Sequence, residues 1–259
     1  ISPEVVAAGL GVLALAGSSR ADGGCAGHWS PAFDGSTPNA EVHSIVRLPD
    51  GDVVVGGEFT RIGTVQANGI ARFDHHAGRW TPLGGGVTHS AVTANVYSIA
   101  VRGDHELIVA GLFDRAGNTP VNQIARWDGS AWSDMGAGPL GLDQAVSVVA
   151  CTPGGDVFVA GNFSFIGGVP ASSVARWDGQ AWARLGTIVT DSFGVGALAI
   201  LPNGSLVVGG HIKSSESSPL NDVGLWDGTG WSALGERYPE EYPFVGSLVS
   251  FSDGRVLAG

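Results

Sequence analysis

Arginine recurs at Arg72, Arg126 and Arg176, and aspartate at Asp74, Asp128, Asp178 and Asp227. Three guanidinium groups around one centre would grip a carboxylate through paired hydrogen bonds, and carboxylates are common acid–base groups. Equal spacing argues against both uses. It gives each residue the same place in its own unit, aimed sideways rather than at a shared point. The arginines are therefore read as structural partners for unit edges or for the recurrent aspartates, and the aspartates as caps of tight turns. Tyr238-Pro239-Glu240-Glu241-Tyr242 sets acids beside aromatics, which suits sugar binding or a glycosidase pair; an acidic solvated loop is the plainer reading. His75-His76 sits in a turn, where neighbouring rings rarely aim at one metal. His89 and His211 lack further ligands at recognisable spacing, so neither a metal site nor a cofactor is expected. Cys151 (VVACT) reads as a buried small hydrophobe. Arg61, Arg115 and Lys213 lie in connections and join Tyr238, Glu240, Glu241 and Tyr242 as candidate binding residues. No catalytic residue is assigned.

The elements that position these groups repeat. Glycine-containing doublets at Gly56-Gly57, Ala110-Gly111, Ala160-Gly161, Gly209-Gly210 and Ala258-Gly259 close apolar runs, their second glycines 54, 50, 49 and 49 residues apart. Phe73-Asp74, Trp127-Asp128, Trp177-Asp178 and Trp226-Asp227 follow the first four doublets. Trp80, Trp132, Trp182 and Trp231 come next, and Trp29 continues that series backwards. All 8 tryptophans fall in these two registers. Turn signals split each unit into four short strands: Pro49-Asp50-Gly51, Gly103-Asp104, Pro153-Gly154-Gly155, Pro202-Asn203-Gly204 and Ser252-Asp253-Gly254, then Asp-Gly after Trp127, Trp177 and Trp226. Asn68, Asn122 and Asn221 read as turn formers at strand entry.

Short, evenly spaced strands with no helical period predict an all-β fold, a β-propeller of four-stranded antiparallel blades of about 50 residues. Such sheets are apolar on both faces and must stack to bury them. Four full blades are expected at about 42–84, 96–136, 146–186 and 195–235, with a partial fifth at 246–259. Trp29–Phe33 is expected to supply the closing N-terminal strand, and the chain reads as truncated at its C-terminal end. Connections one–two and three–four share one face and are uniform. Connections two–three (60–68, 114–122, 164–172, 213–221) and four–one share the other and vary in sequence, which marks that face as the binding face.

Val-Val-Val-Gly-Gly-x-Phe, Ile-Ala-Arg-Phe-Asp and Arg-Trp-Thr-Pro-Leu-Gly, within residues 53–84, resemble a kelch repeat, and the likeness runs from residue 29 to 259. Similar Trp-Asp-Gly repeats occur in secreted bacterial propellers and fungal cortical markers. The likeness implies architecture and little about activity. WD40 repeats have a period nearer 40–45 and a Gly-His pair missing here. Sialidase Asp-boxes place one residue between Asp and Gly. Copper-radical oxidases on kelch-type propellers need a Cys–Tyr crosslink that Cys151, Tyr97, Tyr238 and Tyr242 do not suggest.

Thirteen basic against 24 acidic residues give a net charge of −11, which repels nucleic acid and anionic membrane surfaces. The apolar run Val5–Ala16, followed by Ser19 and Ala21, reads as a signal peptide over 1–21 without its basic region, and the propeller domain as 22–259. No run reaches membrane-spanning length. These features together predict a secreted, cell-surface or periplasmic propeller that binds a protein or glycan through its variable face. The rivals are a glycoside-active enzyme using Glu240 and Glu241, and a passive structural repeat.

Overall fold

A computed structural model describes residues 36–136, 145–216, 219–235 and 244–259. Among them every regular element is a strand. The first sheet runs Val42–Arg47, Val53–Gly57, Ile70–Asp74, Arg79–Pro82, and the second Asn95–Arg102, Glu106–Leu112, Ile124–Trp127, Trp132–Asp134. The third runs Ala145–Cys151, Val157–Asn162, Val174–Trp177, Trp182–Arg184, and the fourth Ile188–Ile200, Leu206–Ser215, Val223–Trp226, Trp231–Ala233. Each is an antiparallel meander in chain order. Leu248–Ser250 and Val256–Ala258 form a two-stranded fifth sheet. The closing strand expected at Trp29–Phe33, like Trp29 itself and the leader, lies outside the described residues.

The hydrophobic cores lie between sheets rather than within one. Leu107 and Val109 of one strand pack toward the first sheet, with Val54, Ile70 and Leu83. The alternate residues Ile108 and Ala110 pack toward the third, with Val146, Val159 and Trp182. Period-two alternation therefore buries both faces of a second strand, and the same holds between the third and fourth sheets. First strands of neighbouring sheets run side by side. Ser44 Oγ accepts the amide of Ile99 at 3.0 Å, and Ser98 Oγ that of Val149 at 3.1 Å.

The glycine doublets mark the closest backbone approach. A Cβ on Gly57, Gly111 or Gly161 would lie 2.0, 2.1 or 2.0 Å from the carbonyl oxygen of Glu41, Asn95 or Ala145. Only glycine lets strand two meet the entry of strand one there. The tryptophans behave as register anchors. Trp132, Trp182 and Trp231 are buried, and each indole N–H donates to the backbone of the preceding sheet, at Leu83, Met135 and Leu185 respectively. Facing ring pairs Phe73–Trp80, Trp127–Trp132, Trp177–Trp182 and Trp226–Trp231 have centroids 5.1–5.3 Å apart.

Two expectations are corrected. The two–three connections are not divergent loops. Three fold into the same small hairpin, Arg61–Ile62 on Val65–Gln66, Arg115–Ala116 on Thr119–Pro120 and Phe165–Ile166 on Val169–Pro170. Phe59, Phe113 and Phe163 are buried beneath them. The fourth keeps a bridge between Ser214 and Pro219. The fourth sheet also begins at Ile188 rather than near 195, because Ile188–Thr190 pairs with Ser215–Ile212 and lengthens the hairpin.

Candidate functional site

One face carries the one–two and three–four turns, and there the polar side chains serve the backbone. Asp128 Oδ1 accepts the amides of Ser130 and Ala131, both at 2.8 Å. Asp178, Asp227 and Asp74 do the same in their turns. These amides, Ala131 before Ser130, hold the Asp128 carboxyl at about 2. The recurrent aspartates are turn caps.

Arg72, Arg126 and Arg176 pair with a series that the sequence reading missed. Arg72 Nε reaches Asp52 at 2.6 Å, Arg126 reaches Glu106 at 3.0 Å and Arg176 reaches Asp156 at 2.9 Å. These acids open strand two, so the arginines tie strand three to strand two rather than to the recurrent aspartates that follow them, and Arg72 also reaches Asp50 in the one–two turn at 2.8 Å. Their signal, an acid just after each one–two turn, was veiled by alternating Asp and Glu and by Ser205 in the fourth unit. Asp52 is buried and also receives His75, Nδ1 to Oδ1 at 2.8 Å. Burial pushes its carboxyl up, but the hydrogen bonds from His75 and Arg72 outweigh that and hold it at about 2. His75 thus has a structural partner, and its ring stacks on His76 at 3.8 Å.

An open hollow of about 720 Å³ lies on this face, where the one–two turns of the third, fourth and fifth sheets converge. Its polar lining is largely spoken for. Thr152 Oγ1 accepts the amide of Asp156, Asp156 holds Arg176, Asn203 Oδ1 accepts the amide of Ser205, and Ser250 Oγ donates to Ile200. Cys151 also lines it, only partly buried rather than enclosed as expected. Burial pushes its thiol up to about 12, far from a reactive thiolate.

The opposite face differs. A cleft of about 610 Å³ opens between the first small hairpin and the connection 87–94, lined by Glu58, Thr60, Asn68, His89, Ser90 and Val92 among others. Asn68 braces its floor, Nδ2 donating to Gly85 at 3.1 Å. His89 Nδ1 accepts the amides of Ala91 and Val92 at 3.1 and 3.4 Å, which places the ring proton on Nε2. Ser90 donates its amide to Asp114 Oδ2 at 2.9 Å, while Asp114 Oδ1 is buried with no partner. Burial pushes this carboxyl up, but the hydrogen bonds from Ser90 outweigh that and, with the nearby Arg115 charge, hold it below the usual range.

Of the expected binding residues, Arg61, Arg115 and Lys213 are exposed on this face. They sit on the two–three segments of three different sheets, and among the described residues none pairs with a carboxylate. The structure does not gather them into one site. Tyr238, Glu240, Glu241 and Tyr242 lie outside the described residues. Among the described residues no group of three His, Cys, Asp or Glu side chains is arranged to hold a metal ion.

Residues 48–74 match a family described as "Domain of unknown function (DUF5122) beta-propeller". The chain is similar in structure to virginiamycin B lyase from Staphylococcus aureus, with TM-score 0.57, 14% identity, and coverage of 86% of this chain and 65% of that one. It is likewise similar to YCF48 bound to a D1 peptide, with TM-score 0.50, 16% identity, and coverage of 86% and 62%. The fold is that of a β-propeller repeat protein. Comparison with curated proteins finds no match. The propeller spans 65% and 62% of the two structures it resembles, and at these identities the likeness carries the fold alone. No helix among the described residues is long and apolar enough to cross a membrane.

Proposed function

We propose that this propeller is a secreted or cell-surface interaction module that holds a protein or glycan on the face bearing the small hairpins. On this reading its sheets are blades of a kelch-like propeller, closed by the N-terminal strand Trp29–Phe33. The observation that carries the reading is the contrast between faces. The turn face spends its polar side chains on its own turns and strand pairs, whereas the hairpin face opens a cleft whose Glu58 carboxylate and His89 Nε2 hydrogen-bond to none of the described residues. Ligand sites favour concave surfaces with a few uncommitted polar groups. YCF48, of similar fold, is a propeller seen with a peptide bound. The apolar segment Val5–Ala16 with Ser19 and Ala21 supports export.

Screening the purified protein against glycan and protein arrays tests the function. Hits should weaken on His89→Ala or Asn68→Ala and persist on Asn203→Ala at the turn face; the reverse pattern refutes the assignment. A reporter active only outside the cytoplasm, fused after residue 35, should gain activity if the segment is a leader.

A further inference from the structure

The first strand of each complete sheet carries a β-bulge at the same register. Pairing slips between Val42 and Ser44, Val96 and Ser98, Val146 and Val148, and Val195 and Ala197. The extra residues are His43, Tyr97, Ser147 and Gly196. Valine precedes the bulge throughout, while the residue after it is Ser44, Ser98, Val148 or Ala197, and the bulged residue differs every time. Bulges are a common means of re-aiming a side chain beside a functional site.

In the first two sheets the bulged residues meet. The rings of His43 and Tyr97 lie edge to face at 6.2 Å. His43 Nε2 is 3.2 Å from Asn95 Nδ2 and 3.9 Å from the Glu41 carboxylate. Glu58 joins them, its amide donating to the Glu41 carbonyl at 2.9 Å. Burial first, and then the Glu58 charge, raise the Tyr97 phenol above the ordinary range. Glu58 and Ala94, the residue before Asn95, also line the 610 Å³ cleft, so the cluster adjoins that cleft through Glu58. Among the described residues neither Glu41 nor Glu58 has an arginine or lysine partner. Two such carboxylates beside a half-buried aromatic ring attract a cation by charge and by the ring face, in a chain whose net charge of −11 favours basic partners.

We infer that the patch of Glu41, His43, Glu58 and Tyr97, which meets the cleft at Glu58, seats a basic side chain of a protein partner, arginine or lysine. This rests on the hairpin face being the binding face and narrows its partner to a basic protein segment.

A tetra-arginine peptide titrated into the full chain, followed by NMR of the Tyr97 and His43 rings, tests it. Tetra-glutamate and maltohexaose serve as comparison probes. Tetra-arginine alone should move these resonances. Glu58→Gln and Tyr97→Ala should each weaken it about tenfold. Tyr97→Phe, which keeps the ring, should bind like the parent and guards against a folding artefact. Asp104→Asn removes the same charge from the turn face and should change affinity less than about twofold. Equal weakening by Glu58→Gln and Asp104→Asn would reduce the attraction to bulk acidity and overturn the inference, as would a tetra-arginine titration that leaves both rings unmoved. Maltohexaose shifting the rings in its place would overturn the basic partner while leaving the face intact. Probes that shift only turn-face residues would sink the face as well.

Discussion

The indole N–H of Trp182 in the third sheet donates to the carbonyl of Met135, at the end of the second, over 2.9 Å. Both groups are buried, so the bond is a joint between sheets rather than a surface contact. Trp182→Phe keeps most of the ring and strands the carbonyl, which should cost about 1–3 kcal/mol. Trp182→Ala also empties the space and should cost about 3–5 kcal/mol. Urea unfolding measures both. A Phe variant with an unchanged midpoint would show that packing alone sets the joint.

Gly161→Ala should destabilise by about 3 kcal/mol or more. The added methyl would meet the carbonyl of Ala145, and backbone cannot swing aside as a side-chain tip can. Gly154→Ala, whose nearest neighbour would be Thr152 Oγ1 at 3.7 Å, should stay within about 0.5 kcal/mol. Comparable thermal melts for the two variants would contradict the close approach.

These two cases mark what was legible from residue types. The doublets and tryptophans are large-effect positions that tolerate one residue each, so they repeat in type and betray the blade period. The small hairpins were hidden because their anchors are interchangeable. Ile62, Ala116 and Ile166 fill one buried position, and Ala67, Val121 and Ala171 another. Polar residues between them read as variable loop. The bulges were hidden because His43-Ser44, Tyr97-Ser98 and Ser147 read as ordinary outward positions of a partly buried strand. At the site, Arg61, Arg115 and Lys213 were recognised as exposed cations, but their spread over three sheets is a fact of topology. The carboxylate at the cleft and the aromatic beside it, Glu58 and Tyr97, come from the end of one sheet's second strand and from the first strand of the next sheet, and share no local pattern.

Asp52 ties acid sensitivity to one ion-pair cluster. Its folded carboxyl sits at about 2, below the ordinary value of 3.8. A depressed carboxylate stabilises fully above the unfolded value and loses that contribution as pH falls from about 4 toward 2. Asp52→Asn should cost about 1–3 kcal/mol at neutral pH, where Arg72 and His75 lose their charged acceptor. It should also flatten the stability profile across that acid window, read by denaturant midpoints at each pH. An acid limb as steep as the parent's would assign it to other carboxylates.

The turn aspartates separate charge from hydrogen bonding. Asp128→Asn retains an oxygen for the amides of Ser130 and Ala131 and should melt close to the parent. Asp128→Ala leaves both amides to solvent and should melt lower. Replacing Asp74, Asp128, Asp178 and Asp227 together with alanine should sum the losses, since the turns are far apart. A single alanine variant indistinguishable from the parent would show the caps to be dispensable.

The indoles of Trp132, Trp182 and Trp231 each reach back by one unit, so the second, third and fourth sheets are each fastened by a residue they carry themselves. Excising a whole unit, or copying one, leaves each remaining tryptophan with an equivalent carbonyl to grasp. The architecture can therefore lengthen or shorten in steps of one blade with no new joint to invent, while a cut of any other size breaks two.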